Sequence, residues 1–573
     1  MSTAATPPHE APQTRPRGQG APTTRAKGHG YSLLLKDSVI YGVGSTVQKF
    51  LMVFLMPLYT AYLMPADYGI IGMVTVTSQF IYVFINLGFD VAMSRFYFDD
   101  DTEERRRQVI SNTLLAWTVY PVVFLGLMAA FMPHLTPLLM GKGTYWMFFD
   151  LGLLNIFFTN WIALPYMLLR LDHRPWLFTW FMLADVLVTI ALTVVLVVVF
   201  HWGIYGVLVG NLVSVFLVNA AALPVYWRRL VFRLDPRLVR AMTIFALPAL
   251  LNGAIFFVLK LSDRWFLMRY QGKTEVGLYT TAFQLSQPVY VAMAAFRMAW
   301  PQWHYERLND PVAHKKMVAR SSTYFLTLCV AMMAGMGVFM PLIVRVLLRR
   351  SAYWSVGPTT LVLTLGTVLY SMYFVLWVGC NVAKKNRQIP LITVIASAVN
   401  VGLNLLLIPR YGMIAAAWTT VVGFAILCVL VYFISQHHYP ISYEWGRFAK
   451  MSVACGVTLA AGWVVARLLG ESVYLPFGRL LVDEIIKAPV ILIFPLILWL
   501  TGFLTPGERA ALGDLARRLS GRRGVRTAPG IGTASAEHPA DALSEDDLAA
   551  EQEGTVIEAA AKLGISEGDR TSI

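Results

Sequence analysis

The stretch GSTVQKFLMVFLMPLY, Gly44–Tyr59, decides the fold class. It is part of an apolar run long enough to cross a bilayer, yet Lys49, with Gln48 beside it, sits near the middle. A spanning helix needs about 20 mostly apolar residues, and a charge at its centre costs about 2.5–3.5 kcal/mol on insertion scales. Such a lysine needs a wet cavity or a partner. A lysine at that depth reaches an interface only with strain.

Similar apolar runs recur along the whole chain. Of its 573 residues 57% are hydrophobic and 14% charged, and mean hydropathy is +0.58, beyond the roughly 45–50% apolar usage of soluble domains. The sequence therefore predicts an all-α integral membrane protein. Fourteen spans are expected, at roughly 38–62, 68–91, 108–132, 147–169, 176–200, 203–226, 241–267, 276–300, 320–346, 356–380, 388–408, 411–434, 447–469 and 484–504. The short loops between them leave no room for a large catalytic domain. The net charge of +14 could point to nucleic acid, but the cations cluster in those loops. Arg105–Arg107, Arg228, Arg229, Lys315, Lys316, Lys384, Lys385 and Arg387 all fall on the N-terminal side, so the positive-inside rule places both termini in the cytosol and nucleic acid is not an expected partner. Cys329, Cys380, Cys428 and Cys455 lie in apolar runs without metal-ligand or disulfide spacing, so neither a metal nor a redox cofactor is expected.

The chain also repeats itself. YLMPADYGIIGM from Tyr62 matches YQGKTEVGLYTT from Tyr270, with Gly69 and Gly277 at the same offset as the tyrosines. Arg174 in DHRPWLF pairs with Arg387 in KNRQIPLI, and Gly203 in WGIYG with Gly412 in YGMIA, within a few residues of that offset. Two parallel six-span units around a central cavity are implied, because an even number of spans preserves orientation. The expected organisation is a basic cytosolic tail at 1–35, lobes at 36–230 and 231–440, helices 13 and 14 at 441–504, and a cytosolic tail at 505–573. The first tail is rich in Pro, Thr, Gly and Arg and reads as disordered, with no secretory signal. The last tail opens with TPGERAALGDLARRLSGRRG, a helix start followed by an apolar stripe beside arginines, and reads as an amphipathic helix on the anionic inner leaflet. Acidic residues follow it.

Charges inside spans mark the candidate site. They are Lys49, Asp185, Lys260, Asp263, Arg264 and Arg297, with Asn86, Asn160, Gln284, Gln287, Asn400 and Asn404 adding polarity. Each has a structural alternative: Arg297 lies near enough to the inner boundary to snorkel, Asp263 and Arg264 can neutralise one another, Asp185 can pair across to a neighbouring span, and the asparagines can bond helix to helix. The cations outnumber the carboxylates, and a cavity with excess positive charge in low dielectric favours an anionic ligand. Phosphate or pyrophosphate on a membrane-bound carrier has that chemistry.

Four stretches resemble a known family. They are KDSVIYGVGSTVQKFLMVFLMPLYTAYLMPADYGIIGM, NLGFDVAMSRFYFDD, FALPALLNGAIFFVLKLSDRWFLMRYQGKTEVGLYTTAF and SAVNVGLNLLLIPRYGMIAAAW. They are similar to bacterial Wzx-type oligosaccharide flippases of the multidrug/oligosaccharidyl-lipid/polysaccharide exporter superfamily. The resemblance implies a two-lobed bundle in the cytoplasmic membrane that alternates access to the two sides. Its cargo would be an undecaprenyl-pyrophosphate-linked glycan for O-antigen, capsule or exopolysaccharide synthesis. On that reading Lys49, Lys260, Arg264 and Arg297 are pyrophosphate-binding candidates, Asp185 and Asp263 are candidates for coupling to a Na+ or H+ gradient, and a polymerase or other pathway protein is a partner. Three other readings stay open: a flippase of peptidoglycan precursor, a multidrug antiporter of the same superfamily, and a membrane glycosyltransferase or polymerase. The antiporter calls for a cavity dominated by carboxylates. The enzyme calls for an acidic pair or a large outer loop, and the first outer loop is only LMPAD.

Overall fold

The computed structural model describes Gly44, Val47, Leu51, Val53 and residues 55–509, except 101, 142, 232, 306, 307, 309, 386, 387, 506 and 507. Among these residues there are helices and no strands. The first repeat unit contains α1 (Leu55–Tyr62), α2 (Pro65–Asn86), α3 (Phe89–Phe96), α4 (Glu103–Met140), α5 (Trp146–Leu171), α6 (Pro175–Val194) and α7 (Gly203–Tyr226). The second contains α8 (Pro236–Leu261), α9 (Asp263–Tyr270), α10 (Lys273–Leu285), α11 (Gln287–Tyr305), α12 (Pro311–Val338), α13 (Met340–Leu347), α14 (Gly357–Leu376), α15 (Val378–Val382) and α16 (Ile389–His438). Three helices follow, α17 (Trp445–Leu469), α18 (Phe477–Lys487) and α19 (Ile493–Leu500).

Ten of the described helices are long and apolar enough to span a bilayer, and the chain is a multi-pass membrane protein. Ten long helices do not by themselves establish the expected count of fourteen, because several expected spans are kinked or divided. Expected spans 11 and 12 are the two arms of α16, two helices that meet at a kink at Gly412, where φ is 58° and ψ is −140°. That conformation needs a residue without a Cβ. Span 8 is interrupted at Ser286, between α10 and α11. Pro288, two residues on, has no N–H to carry the ladder across that point. Span 14 is divided among α18, a 3-10 segment at Ala488–Leu492 and α19. Most of span 1 lies outside the described residues, Lys49 included.

The repeat read from the sequence is visible where the two units touch. A Cβ placed on Gly69 of α2 would overlap the carbonyl of Lys273 in α10, and one on Gly277 of α10 would overlap the carbonyl of Pro65 in α2. Lys273 stands to Pro65 as Gly277 stands to Gly69 in the repeat, so the contact is reciprocal. The two backbones touch across a pseudo-two-fold axis, the close approach that small residues permit between helices in a bilayer. Gly203 and Gly412, also matched by the repeat, share a positive φ of 55° and 58°. The main core lies around this crossing. Tyr68, Met73, Leu267, Val276, Tyr279 and Ala416 are buried in it, drawn from both units. The outward faces of α4 and α6 instead expose Val119, Val122, Val123, Trp176 and Trp180, as expected where the solvent is hydrocarbon.

Several polar groups inside the bundle bond to one another. Asn86 Nδ2 donates to Asn160 Oδ1 at 3.5 Å, joining α2 to α5. Asn404 Nδ2 donates to Asn400 Oδ1 at 3.1 Å, and Thr419 donates to Asn404 Oδ1, which ties together the two arms of α16. A second ionic cluster, not apparent in the sequence, lies towards the end of the unit. Lys487 Nζ bonds both oxygens of Glu471 at 2.7 Å and lies 3.1 Å from Glu484 Oε2. Glu484 Oε1 accepts the N–H of Leu342 at 3.1 Å. All three charges are buried, and they pin α18 to α13.

The described residues up to Phe503 form one compact unit, and those from Leu504 on belong to a second. In the second, Glu508 Oε2 accepts the N–H of Thr505 at 2.8 Å while Thr505 Oγ1 accepts the N–H of Glu508 at 3.4 Å. This is the reciprocal cap expected of the TPGE motif. The rest of the expected amphipathic helix, the acidic tail and the N-terminal tail lie outside the described residues.

Candidate functional site

Residues from both repeat units enclose a cavity of about 630 Å³. Its walls include Met56, Tyr59, Tyr68, Thr75 and Gln79 from the first unit and Arg264, Phe283, Gln284, Gln287 and Tyr290 from the second. Arg264 is the only charged residue on the wall among the described residues. Thr75, Gln79 and Gln284 are exposed there, so a ligand in the cavity can reach their polar groups.

Arg264 is held by its neighbours in sequence and in space. Ser262 interrupts the path from α8 to α9, so that Asp263 and Arg264 occupy the first turn of α9. The Asp263 carboxylate accepts the Arg264 N–H at 2.9 Å and its Nη1 at 3.2 Å through Oδ1. Through Oδ2 it accepts the hydroxyl of Tyr279 on α10 and that of Thr420 on α16 at 3.4 Å. The guanidinium carbon lies 4.5 Å from the Phe283 ring centre and 5.2 Å from that of Tyr279. Both charged residues are only 2% exposed. A buried pair of this kind persists when its remaining lone pairs are satisfied, which is what Tyr279 and Thr420 do. The sequence expectation that Asp263 and Arg264 neutralise one another is realised. Arg264 is nonetheless part of the cavity wall.

The other cations stand on aromatic rings further along the same helices. Lys260, one turn before Arg264 on α8, places Nζ 4.7 Å from the Tyr290 ring centre and 5.8 Å from that of Tyr370. Tyr290 itself lines the cavity. Arg297 on α11 is exposed, with its guanidinium carbon 5.3 Å from the Phe374 ring centre. Its side chain is not part of the cavity wall. Tyr370 and Phe374 are one turn apart on α14, so Arg264, Lys260 and Arg297 follow one another beside aromatic groups. Asp185 lies elsewhere, on α6, where its Oδ1 accepts the Ser214 hydroxyl at 3.2 Å. The structure thus joins Asp263 to Arg264 and sets Lys260 behind Tyr290, while Asp185 is separate and Lys49 is undescribed.

Sequence reasoning missed Tyr279, Thr420 and Gln79. Tyr279 and Thr420 are 16 and 157 residues from Asp263, and only the packing of α9 against α10 and α16 brings them to it. Gln79 had a signal, because its repeat-equivalent, Gln287, was already singled out for polarity. Among the described residues no group of three or more His, Cys, Asp or Glu side chains is arranged to hold a metal ion.

Comparison with known proteins agrees with this geometry. Residues 34–301 match the family described as polysaccharide biosynthesis protein. No curated protein matches the chain in sequence. Among solved structures, the lipid II flippase MurJ in an inward closed conformation superposes with a TM-score of 0.65 at 16% identity, covering 81% of this chain and 100% of that one. An inward-facing multidrug resistance MATE family transporter of the MOP superfamily gives 0.56 at 13% identity, over 70% of this chain and 94% of that one. A MOP superfamily transporter from Pyrococcus furiosus, whose binding pocket is described as having reverse polarity, gives 0.53 at 14%, over 71% and 95%. At these identities the likeness is one of fold. Residues 34–301 are thus similar to the polysaccharide biosynthesis family, and the chain as a whole has the fold of these solved transporters.

Proposed function

We propose that the protein flips an undecaprenyl-pyrophosphate-linked oligosaccharide across the bacterial cytoplasmic membrane by alternating access, for synthesis of O-antigen, capsule or exopolysaccharide. The observation that carries this reading is the cavity wall: one fixed cation, Arg264, no carboxylate among the described lining residues, and a second cation, Lys260, one turn away. A pyrophosphate entering this low-dielectric space meets a guanidinium already oriented by Asp263, and charge-assisted bonds to phosphate are the strong ones. The lipid tail stays in the bilayer, so no bond is broken and no cofactor is required. The protein acts as a transporter rather than an enzyme.

Lys49 and Arg297 complete the proposed set of pyrophosphate ligands. Asp185 and Asp263 are the proposed coupling carboxylates for a Na+ or H+ gradient. Asp263 is the better supported of the two, since its oxygens bridge the cavity cation to Thr420 on α16, the helix broken at Gly412. The lobes 36–230 and 231–440 are the proposed moving bodies, with 441–504 as an addition and both termini cytosolic. Polymerase or other pathway proteins are the proposed partners.

The test is flipping of a lipid-pyrophosphate oligosaccharide by the full chain in proteoliposomes. Lys49→Ala and Arg264→Gln abolish flipping on this reading, and Lys49→Arg restores it. Full flipping in all three variants would overturn the pyrophosphate assignment. A second reading, flipping of peptidoglycan precursor, draws on the superposition with the whole of the lipid II flippase chain. Lipid II supplied to the same vesicles decides between them.

A further inference from the structure

The cavity wall carries more than its cation. Gln79 on α2 and Gln287 on α11 are repeat-equivalents, separated by the same number of residues as Gly69 and Gly277. Both line the same space. Gln287 Nε2 donates to the Phe283 carbonyl at 3.1 Å, which leaves its Oε1 to accept. Gln284, also on the wall, accepts the Tyr68 hydroxyl at 2.6 Å through Oε1, which leaves its N–H groups to donate. A carboxamide offers donors and acceptors together. A sugar hydroxyl needs both at once, and the apolar C–H face of a pyranose needs a flat apolar partner, as Tyr59 and Tyr290 provide.

From this arrangement we propose that Gln79 and Gln287 form a subsite for an uncharged sugar, so that the saccharide unit seated beside the Arg264 site carries neither carboxylate nor amine. An acidic sugar there would lose its water to neutral amides, and an amino sugar would find no carboxylate among the described lining residues. The inference rests on the flippase reading and sharpens it. Arg264 reads the pyrophosphate, whereas the two glutamines, one from each repeat unit, read the glycan.

The experiment uses the full-length protein in detergent and three synthetic ligands, with binding followed by intrinsic tryptophan fluorescence. The ligands are undecaprenyl pyrophosphate alone, the same lipid bearing a neutral hexose disaccharide, and the same lipid with a hexuronic acid in place of the first hexose. Two neutral hydrogen bonds at about 0.5–1.5 kcal/mol each correspond to roughly tenfold in affinity. The wild type therefore binds the neutral glycolipid about tenfold more tightly than the bare lipid, and the uronic form at least tenfold more weakly than the neutral one. The double variant Gln79→Met, Gln287→Met loses the gain from the neutral sugar. Its binding of the bare lipid shows that the fold is intact. A double variant that keeps the tenfold gain overturns the subsite, as does equal binding of the neutral and uronic forms. If the wild type binds the bare lipid with no gain from sugar, the subsite fails and the pyrophosphate reading stands. If it binds none of the three, the flippase reading fails and the subsite with it.

Discussion

In the first repeat unit Leu55 and Met56 occupy the positions that Asp263 and Arg264 occupy in the second. Met52 likewise stands for Lys260, and Phe89 for Arg297. The features the units share are of another kind: the reciprocal glycines at the α2–α10 crossing, the positive-φ pair Gly203 and Gly412, and the amides Gln79 and Gln287. The repeat supplies scaffold and the departure from it supplies charge. Among the described lining residues the charge is a single cation, Arg264, held by its own carboxylate, which offsets part of the cost of burying it.

Breaking the asymmetry has the largest expected effect. Arg264→Met leaves Asp263 buried without its counter-charge, and removing one partner of such a pair costs about 3–5 kcal/mol. Unfolding in detergent should show that loss, and transport should cease. The double variant Asp263→Leu, Arg264→Met rebuilds the Leu55–Met56 pair of the first unit and should recover much of the stability while remaining inactive. Recovered transport in that variant would mean that the charge asymmetry is incidental.

The symmetric half of the comparison comes next. Gly69→Ala and Gly277→Ala each drive a Cβ into a facing carbonyl, and overpacking costs about 1–3 kcal/mol. The informative quantity is the ratio: equal losses in Tm sharpen the pseudo-two-fold relation, and strongly unequal ones break it. Tyr279→Phe is smaller. It removes one hydroxyl from a carboxylate that keeps its bonds from Arg264 and Thr420, at about 1.5 kcal/mol. Its signature is a several-fold loss of lipid-pyrophosphate affinity larger than the change in Tm accounts for. Least of all, Arg95→Ala opens an exposed ion pair with Asp99, and stability and transport should change by no more than about 0.5 kcal/mol equivalent.

How much of this was legible in the chain follows from the range of each interaction. Gly69 and Gly277 could be matched because a repeat is a property of order along the sequence, and their backbone contact then follows from the two-fold relation it implies. The neutralisation of Asp263 by Arg264 was legible because the residues are adjacent. The carboxylate's two other bonds were not, since Tyr279 and Thr420 are ordinary residues of their helices until α10 and α16 pack against α9. The Glu471–Lys487–Glu484 cluster was missed for a similar reason. Lys487 and Glu484 are one turn apart on α18, but the Glu471 carboxylate reaches them only because the loop after α17 folds back.

Composition and hydropathy alone therefore determined that this is a helical membrane protein, because without water every backbone group must be bonded within its own segment. The internal match alone determined that it is built from two parallel units. Tertiary structure decided which embedded charges meet the cavity. Lys260, Arg264 and Arg297 are alike as charges in a sequence, yet one lies on the wall, one behind a tyrosine and one outside. That choice belongs to the way the helices that carry them pack, which contacts between distant segments decide.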